Sequence, residues 1–298
     1  MNFLIKLKDI DRRVIFVFVA VSVCLPMLLK LDFMVVPGKN VKSLYDFIEG
    51  LPPGTRTFLS FDFDPASMPE LHPAAVAVLV HMFRRGLKPI CGANWPVGGE
   101  MAKTALASAT QIFQETQARK KLPDNGEKQK LEKTRDFVNL GYKPGGVVLI
   151  KRLVTDFLGP YPTDQDGVPT AGMDIFRNPD GRKFSISDVK LIVSFTAGTG
   201  GIEAFINVAG DLKCTMGAAC TSVNIPRFYT YLQTKQLIGM TGGLPGAAEY
   251  EKLVGHLGPA RKGMAPQTIG HLVIIGFIII GNIAYLAEKS KSSKKHLS

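Results

Sequence analysis

The chain has 298 residues, of which 46% are hydrophobic, and a formal net charge of +11. That length allows one large domain or two small ones with a sizeable core. The positive charge is dispersed, partly in the terminal segments and partly among acidic residues in 119–135, so no basic stripe with spaced aromatics marks a nucleic-acid partner.

Lys6, Lys8, Arg12 and Arg13 precede an apolar run over 14–29, which Leu31 and residues 33–36 extend past Lys30 and Asp32. Residues 14–36 therefore read as a transmembrane helix, with Lys30 snorkelling to the headgroups and Pro26 tolerated near its end. A cleaved signal peptide competes, but no small-x-small site precedes Pro26, which favours an uncleaved anchor. Cys24 invites a lipoprotein reading that Val23 before it disfavours.

Residues 37–266 read as an α/β domain. Val41–Glu49 is a short amphipathic helix ended by Leu51-Pro52-Pro53-Gly54. Arg56–Phe63 is a strand, Pro73–Arg85 a helix stopped by Gly86, Lys88–Ala93 a strand and Gly99–Ala118 a helix. The charged excursion 117–135 is broken by Pro123-Asp124-Asn125-Gly126. Asp136–Leu140 is a strand and Val147–Leu158 a helix. Residues 161–187 are dense in Pro, Gly, Asp and Thr without periodicity. A loop of that length is either a lid or binding segment or a surface excursion.

Regular structure resumes with the strand Val189–Phe195, a helix from Ile202, the strand Lys213–Cys220 and the helix Pro226–Gln233 with Pro at its first turn. The strand Leu237–Met240 and the helix Ala247–Val254 close the domain. Cys214 and Cys220 on one strand would stand about 20 Å apart, too far for a disulfide. With Cys24 and Cys91 they lack metal-ligand spacing and read as small buried hydrophobes.

Thr268–Ala287 carries no acidic or basic residue except His271, which can be neutral, and has the roughly 20 residues a membrane helix needs. Glu288, Lys289, Lys291, Lys294 and Lys295 follow as a stop-transfer signal, so 267–287 is a second span and 288–298 a basic tail. A buried core helix is the alternative. The Lys and Arg balance places both termini, 1–13 and the tail, in the cytoplasm of a two-span cell-membrane protein, with the domain outside. Unpaired thiols fit a reducing compartment better and pull against that orientation.

Strand and helix alternate, and several strands are continuous apolar runs, as when helices cover both faces. The fold expected is an open, mostly parallel, Rossmann-like α/β sheet flanked by helices and tethered by N- and C-terminal transmembrane helices. Ser60-Phe61 and Val193-Ser194-Phe195 begin two similar strand–helix–strand passages, a faint internal echo. In such sheets ligands bind beyond the C-terminal strand ends. That places Asp62, Asp64, Asn94, Trp95, Thr196, Gly198, Thr199, Gly200, Gly201, Thr241, Gly242 and Gly243 in a candidate ligand site.

Three constellations lie there. Asp62 and Asp64, two apart on a strand end, could share a cation and resemble the opening motif of haloacid-dehalogenase-type phosphatases, with Ser194 or Thr196 as the second-strand hydroxyl. No late acidic pair follows, and helix capping by Asp64 or Ser67 is the simpler role. Thr196–Gly201 before a helix suits an anion, or is a tight turn. Ser67, Ser108 and Ser222 with His72, His81 or Lys103 loosely resemble membrane-associated ClpP-like serine peptidases, without a recognisable motif. No catalytic residue, metal or cofactor is assigned.

Leu51–Gly54, Ser60–Pro65, Leu140–Gly146, Gly242–Glu251 and Ile279-Ile280-Gly281-Asn282 together resemble a family of uncharacterised two-transmembrane-helix proteins of bacteria and archaea. The resemblance spans nearly the whole chain and implies an anchored domain, with no activity attached. The expectation is a non-enzymatic component or scaffold of a membrane assembly, whose partners are the lipid bilayer and membrane proteins or further copies of itself. The alternatives are a sensor of a small anionic ligand and a membrane-bound hydrolase. Gly270, Gly276, Gly281 and Asn282 suit close helix–helix contact.

Overall fold

A computed structural model describes residues 11–119, 130–212 and 214–296. Lys6, Lys8, Lys213 and the break at Pro123–Gly126 lie outside the described residues, as do the side chains of the basic tail beyond Lys289. The chain forms two compact units, one of residues 35–260 and one of the two chain ends.

The larger unit is built on a six-stranded, all-parallel sheet: β1 (Arg56–Asp62), β2 (Lys88–Ala93), β3 (Val138–Tyr142), β4 (Val189–Thr196), β5 (Thr215–Cys220) and β6 (Met240–Gly242). Their order is β3-β2-β1-β4-β5-β6, so the chain runs outward from β1 and then outward again from β4. Thr57–Asp62 and Leu191–Thr196 are buried without interruption, because helices cover both faces. The two echoing passages land side by side, with Ser60 paired to Ser194 and Phe61 to Phe195.

On one face α3 (Met68–Arg84) packs between α4 (Gly98–Arg119) and α9 (Gly243–Val254). The helix α3 starts five residues before the predicted Pro73, because Pro69 is its first-turn proline and Pro73 lies inside. Gly86 does end it, with φ +67°: the Gly86 N–H bonds the Phe83 carbonyl and Leu87 N–H that of Met82, a Schellman closure. The short α2 (Lys39–Glu49) buries Val41, Leu44 and Ile48, its apolar stripe.

The other face holds α5 (Val147–Thr155), α6 (Ile202–Ile206) and α7 (Ala209–Leu212), with α8 (Ile225–Gln233) following β5. Residues 161–187 are irregular, with two 3-10 turns, and the segment alternates exposed stretches with buried anchors. Tyr161, Met173, Ile175, Phe176, Phe184 and Ile186 are buried in the core of this face. Apolar anchors without helix or strand spacing give no periodic signal.

The smaller unit joins α1 (Arg12–Leu28) to α10 (Pro259–His296). Among the described residues one helix is long and apolar enough to cross a membrane, over Pro259–Leu286. The predicted span 14–36 is not one helix: α1 stops at Leu28, and Lys30 turns left-handed with φ +51°. Its 17 residues rise about 25 Å at 1.5 Å each, against about 30 Å of hydrocarbon. The two helices are antiparallel neighbours. Phe18 meets Phe277 edge-on at 5.9 Å, Ser22 and Val23 lie on Gly270, and Asp32 pairs with Arg261 at 2.6 Å.

Candidate functional site

The strand order reverses between β1 and β4, and in an open α/β sheet the crevice at that point is where ligands bind. Side chains two apart on a strand share a face, so Ser60 and Asp62 of β1 stand beside Ser194 and Thr196 of β4. All four are buried. Asp62 accepts the Asn94 backbone N–H at 2.8 Å and the Ser194 hydroxyl at 3.0 Å, and its own carbonyl accepts Ala197 N–H.

Burial pushes the Asp62 carboxyl up to about 6, against the pull of the Ser60 hydroxyl, Asn94 N–H and Ser194. The Ser60 hydroxyl lies close enough to act on that charge, yet at a geometry short of a hydrogen bond, so its oxygen is buried without a partner. Tyr161, from the irregular segment, borders the same cluster: burial first and the Asp62 charge second raise its phenol. The result is a closed polar nest of a carboxyl and hydroxyls in the middle of an apolar core.

Asp64 does not join Asp62 in a cation site. The strand ends at Asp62, so the two-residue alternation stops there, and Asp64 accepts Ser67 N–H at 3.1 Å instead. Ser67 itself makes no side-chain cap to α3. Asn94 contributes backbone, and the carbonyl of half-buried Trp95 accepts Gly98 N–H. Gly98 is required where α4 crosses β1, because a Cβ there would sit 1.9 Å from the Phe61 carbonyl.

Thr196–Gly201 borders the nest. The Thr196 hydroxyl donates to the Gly198 carbonyl, Thr199 and Gly200 are exposed, and Gly201 is buried with its Cβ position 2.2 Å from Thr196 Oγ1. The helix that follows, α6, has only five residues, too short for a strong dipole.

Thr241 and Gly242 belong to β6 and Gly243 opens α9, not a turn after the predicted strand 237–240. The β6 edge lies beyond β4 and β5 from Asp62, about 14 Å across the sheet, and about 10 Å from the end of β4. An internal anion already stands at the α9 N-terminus. Glu70 Oε2 accepts Ser222 N–H at 2.8 Å and the Ser222 hydroxyl at 2.9 Å, and would lie 2.9 Å from a Cβ on Gly243. The Thr241 hydroxyl is buried without a partner.

The peptidase candidates are scattered. Among the described residues no hydrogen bond joins Ser67, Ser108 or Ser222 to His72, His81 or Lys103. Lys103 faces Asp166 at 3.7 Å, and buried His81 bonds Tyr250 and Glu49 at 2.9 and 2.7 Å. Burial lowers the pKa of both histidines. A 400 Å³ cavity lies at the other end of the sheet, lined by Phe176, Arg177, Asn178, Arg182 and Phe184, where Arg56 at the start of β1 donates to Asn178. Compared with known protein families, characterised proteins and solved structures, the chain matches none.

Sequence reasoning singled out Asp62, Thr196 and Gly201 of the nest. It missed Ser60 and Tyr161 as members and Glu70 as the group that fills the second edge. A hydroxyl inside an otherwise apolar strand was the available signal for Ser60.

Proposed function

We propose that this protein is a membrane-anchored, non-enzymatic component of a membrane protein assembly, with the α/β domain as its partner-binding surface. The observation that carries the reading is that the sheet edge used for ligands in this architecture is occupied by the protein's own groups. Glu70 accepts two bonds from Ser222 beside the start of α9, and Asp62 is bonded by Asn94 N–H and Ser194. Groups already bonded from within gain little from a small anion.

Both terminal helices hold the domain at the bilayer. The 28-residue apolar stretch of α10 has the necessary length. The helix α1 runs antiparallel beside it and turns Phe16, Val17, Val21 and Met27 outward, which suits lipid. The lysines that follow the apolar stretch of α10 favour a cytoplasmic C-terminus, with the α/β domain across the membrane from it.

Purification from native membranes in mild detergent, with mass spectrometry of the bound proteins, tests the reading. Other membrane proteins retained in stoichiometric amounts support it, and a protein that elutes with no other chain overturns it. A sensor is the second reading, favoured by the unpartnered Ser60 and Thr241 hydroxyls. It requires the fluorescence of Trp95, the single tryptophan, to respond to a small anionic metabolite.

A further inference from the structure

Residues 268–287 of α10 carry four side chains able to hydrogen-bond: Thr268, His271, Asn282 and Tyr285. Thr268 donates to the Met264 carbonyl within its own helix. The other three are exposed and lie on one line with exposed Ile275 and Ile278. The order is His271, Ile275, Ile278, Asn282, Tyr285, alternate steps of four and three. That is the 3.5-residue repeat of a helix seam.

The seam is not the one α1 uses. Gly270, Phe277 and Ala284 mark the α1 side: a Cβ on Gly270 would meet Val23 at 3.5 Å and Ser22 at 3.8 Å, Phe277 meets Phe18, and Ala284 is buried. At about 100° per residue the polar line is turned about 120° from it. Asn282 gives one N–H to the Ile278 carbonyl at 2.9 Å. Its second N–H and its carbonyl oxygen remain, in the middle of isoleucines. Polar groups at hydrocarbon depth face protein rather than lipid.

We infer that α10 pairs with α10 of a second copy of this chain along His271, Ile275, Ile278, Asn282 and Tyr285, with the two Asn282 amides bonded to each other. A second copy is the occupant because copies insert the same way and bring the same line to the same depth. An amide, donor and acceptor at once, is then its own complement across a two-fold axis. A single Asn in an Ile-rich seam also sets register and favours two strands. This pairing rests on the membrane reading above and names one partner within the assembly.

The test uses the full chain in bilayers with exposed Cys24 and half-buried Cys214 replaced by Ser, which leaves only the buried Cys91 and Cys220. Added cysteines at 275, 278 and 282 are compared with cysteines at 273, 276 and 280, on the opposite side of the helix, under mild oxidation. Disulfide-linked dimers confined to the first set are expected. Asn282→Val should weaken the dimer by about threefold to thirtyfold in detergent dilution, and Asn282→Gln by less. Cross-linking equal around the helix, strongest at the second set, or absent overturns the pairing. Carbonate extraction of the same membranes separates the two readings. Protein retained in the pellet without dimers overturns the pairing alone, and protein released from it overturns the anchor as well.

Discussion

Asp62 offers the sharpest test of the buried nest. Its carboxyl is raised from 3.8 to about 6 by burial. A raised acid favours the protonated folded state, so its contribution is fully present below pH 3.8 and is lost as the pH rises through 6. At pH 7.5 the ionised group therefore costs about 3 kcal/mol, from about two pH units at 1.36 kcal/mol each. Asp62→Asn keeps an oxygen for Asn94 N–H and places an amide beside Ser194, whose hydroxyl can accept as well as donate. The variant should gain about 2–3 kcal/mol in denaturant unfolding at pH 7.5, falling towards zero near pH 4. An Asp62→Asn protein less stable than the parent at pH 7.5 would refute the reasoning, because it would mean the folded protein needs the charge.

His81 has the opposite sign. Burial among Tyr45, Glu49, Arg84, Arg85 and Tyr250 lowers its pKa, so its contribution is present above about pH 6.5 and is lost below it. Melting curves of His81→Gln should lose part of the decline between about pH 6.5 and 5; an unchanged slope sinks that assignment. Gly201→Ala should cost about 1–3 kcal/mol, since its Cβ would meet Thr196 Oγ1 at 2.2 Å, and Thr196→Ala in the same chain should recover part of the loss. Glu70→Ala uncovers Ser222 N–H and the start of α9, so sulfate should raise its melting temperature more than the parent's; equal shifts would deny Glu70 the part of resident anion. Buried Glu251 accepts Ala260 N–H at 3.1 Å at the start of α10, and Glu251→Ala should destabilise the protein by about 1–2 kcal/mol in thermal unfolding.

Strands were the most legible elements. Lys88–Ala93 stands where its apolar run and flanking glycines put it, and β1, β4 and β5 differ from expectation only at their ends. The edge strands β3 and β6 moved two or three residues along the chain, because Gly141-Tyr142 and Thr241-Gly242 read as turn chemistry while the structure holds them in the ladder. The sheet is fully parallel, and its order depends on pairings between distant segments that no local pattern encodes. For the same reason the Asp62 motif was visible and its environment was not: Ser194 reaches it from 132 residues away. The first anchor was read from apolar content alone, which continues beyond Leu28, whereas the helix does not.

The α/β domain begins and ends at one place. Gly38 N–H bonds Glu249, the Lys252 ammonium reaches the Val35 carbonyl, and Glu49 of α2 shares His81 with Tyr250 of α9. Mechanically, this closes the domain as a buckle closes a strap. A pull between its first and last segments loads these few bonds first, and the sheet between them carries no tension until they part. Stretching the chain by its ends should therefore show an early, low-force opening of this clasp before the sheet yields.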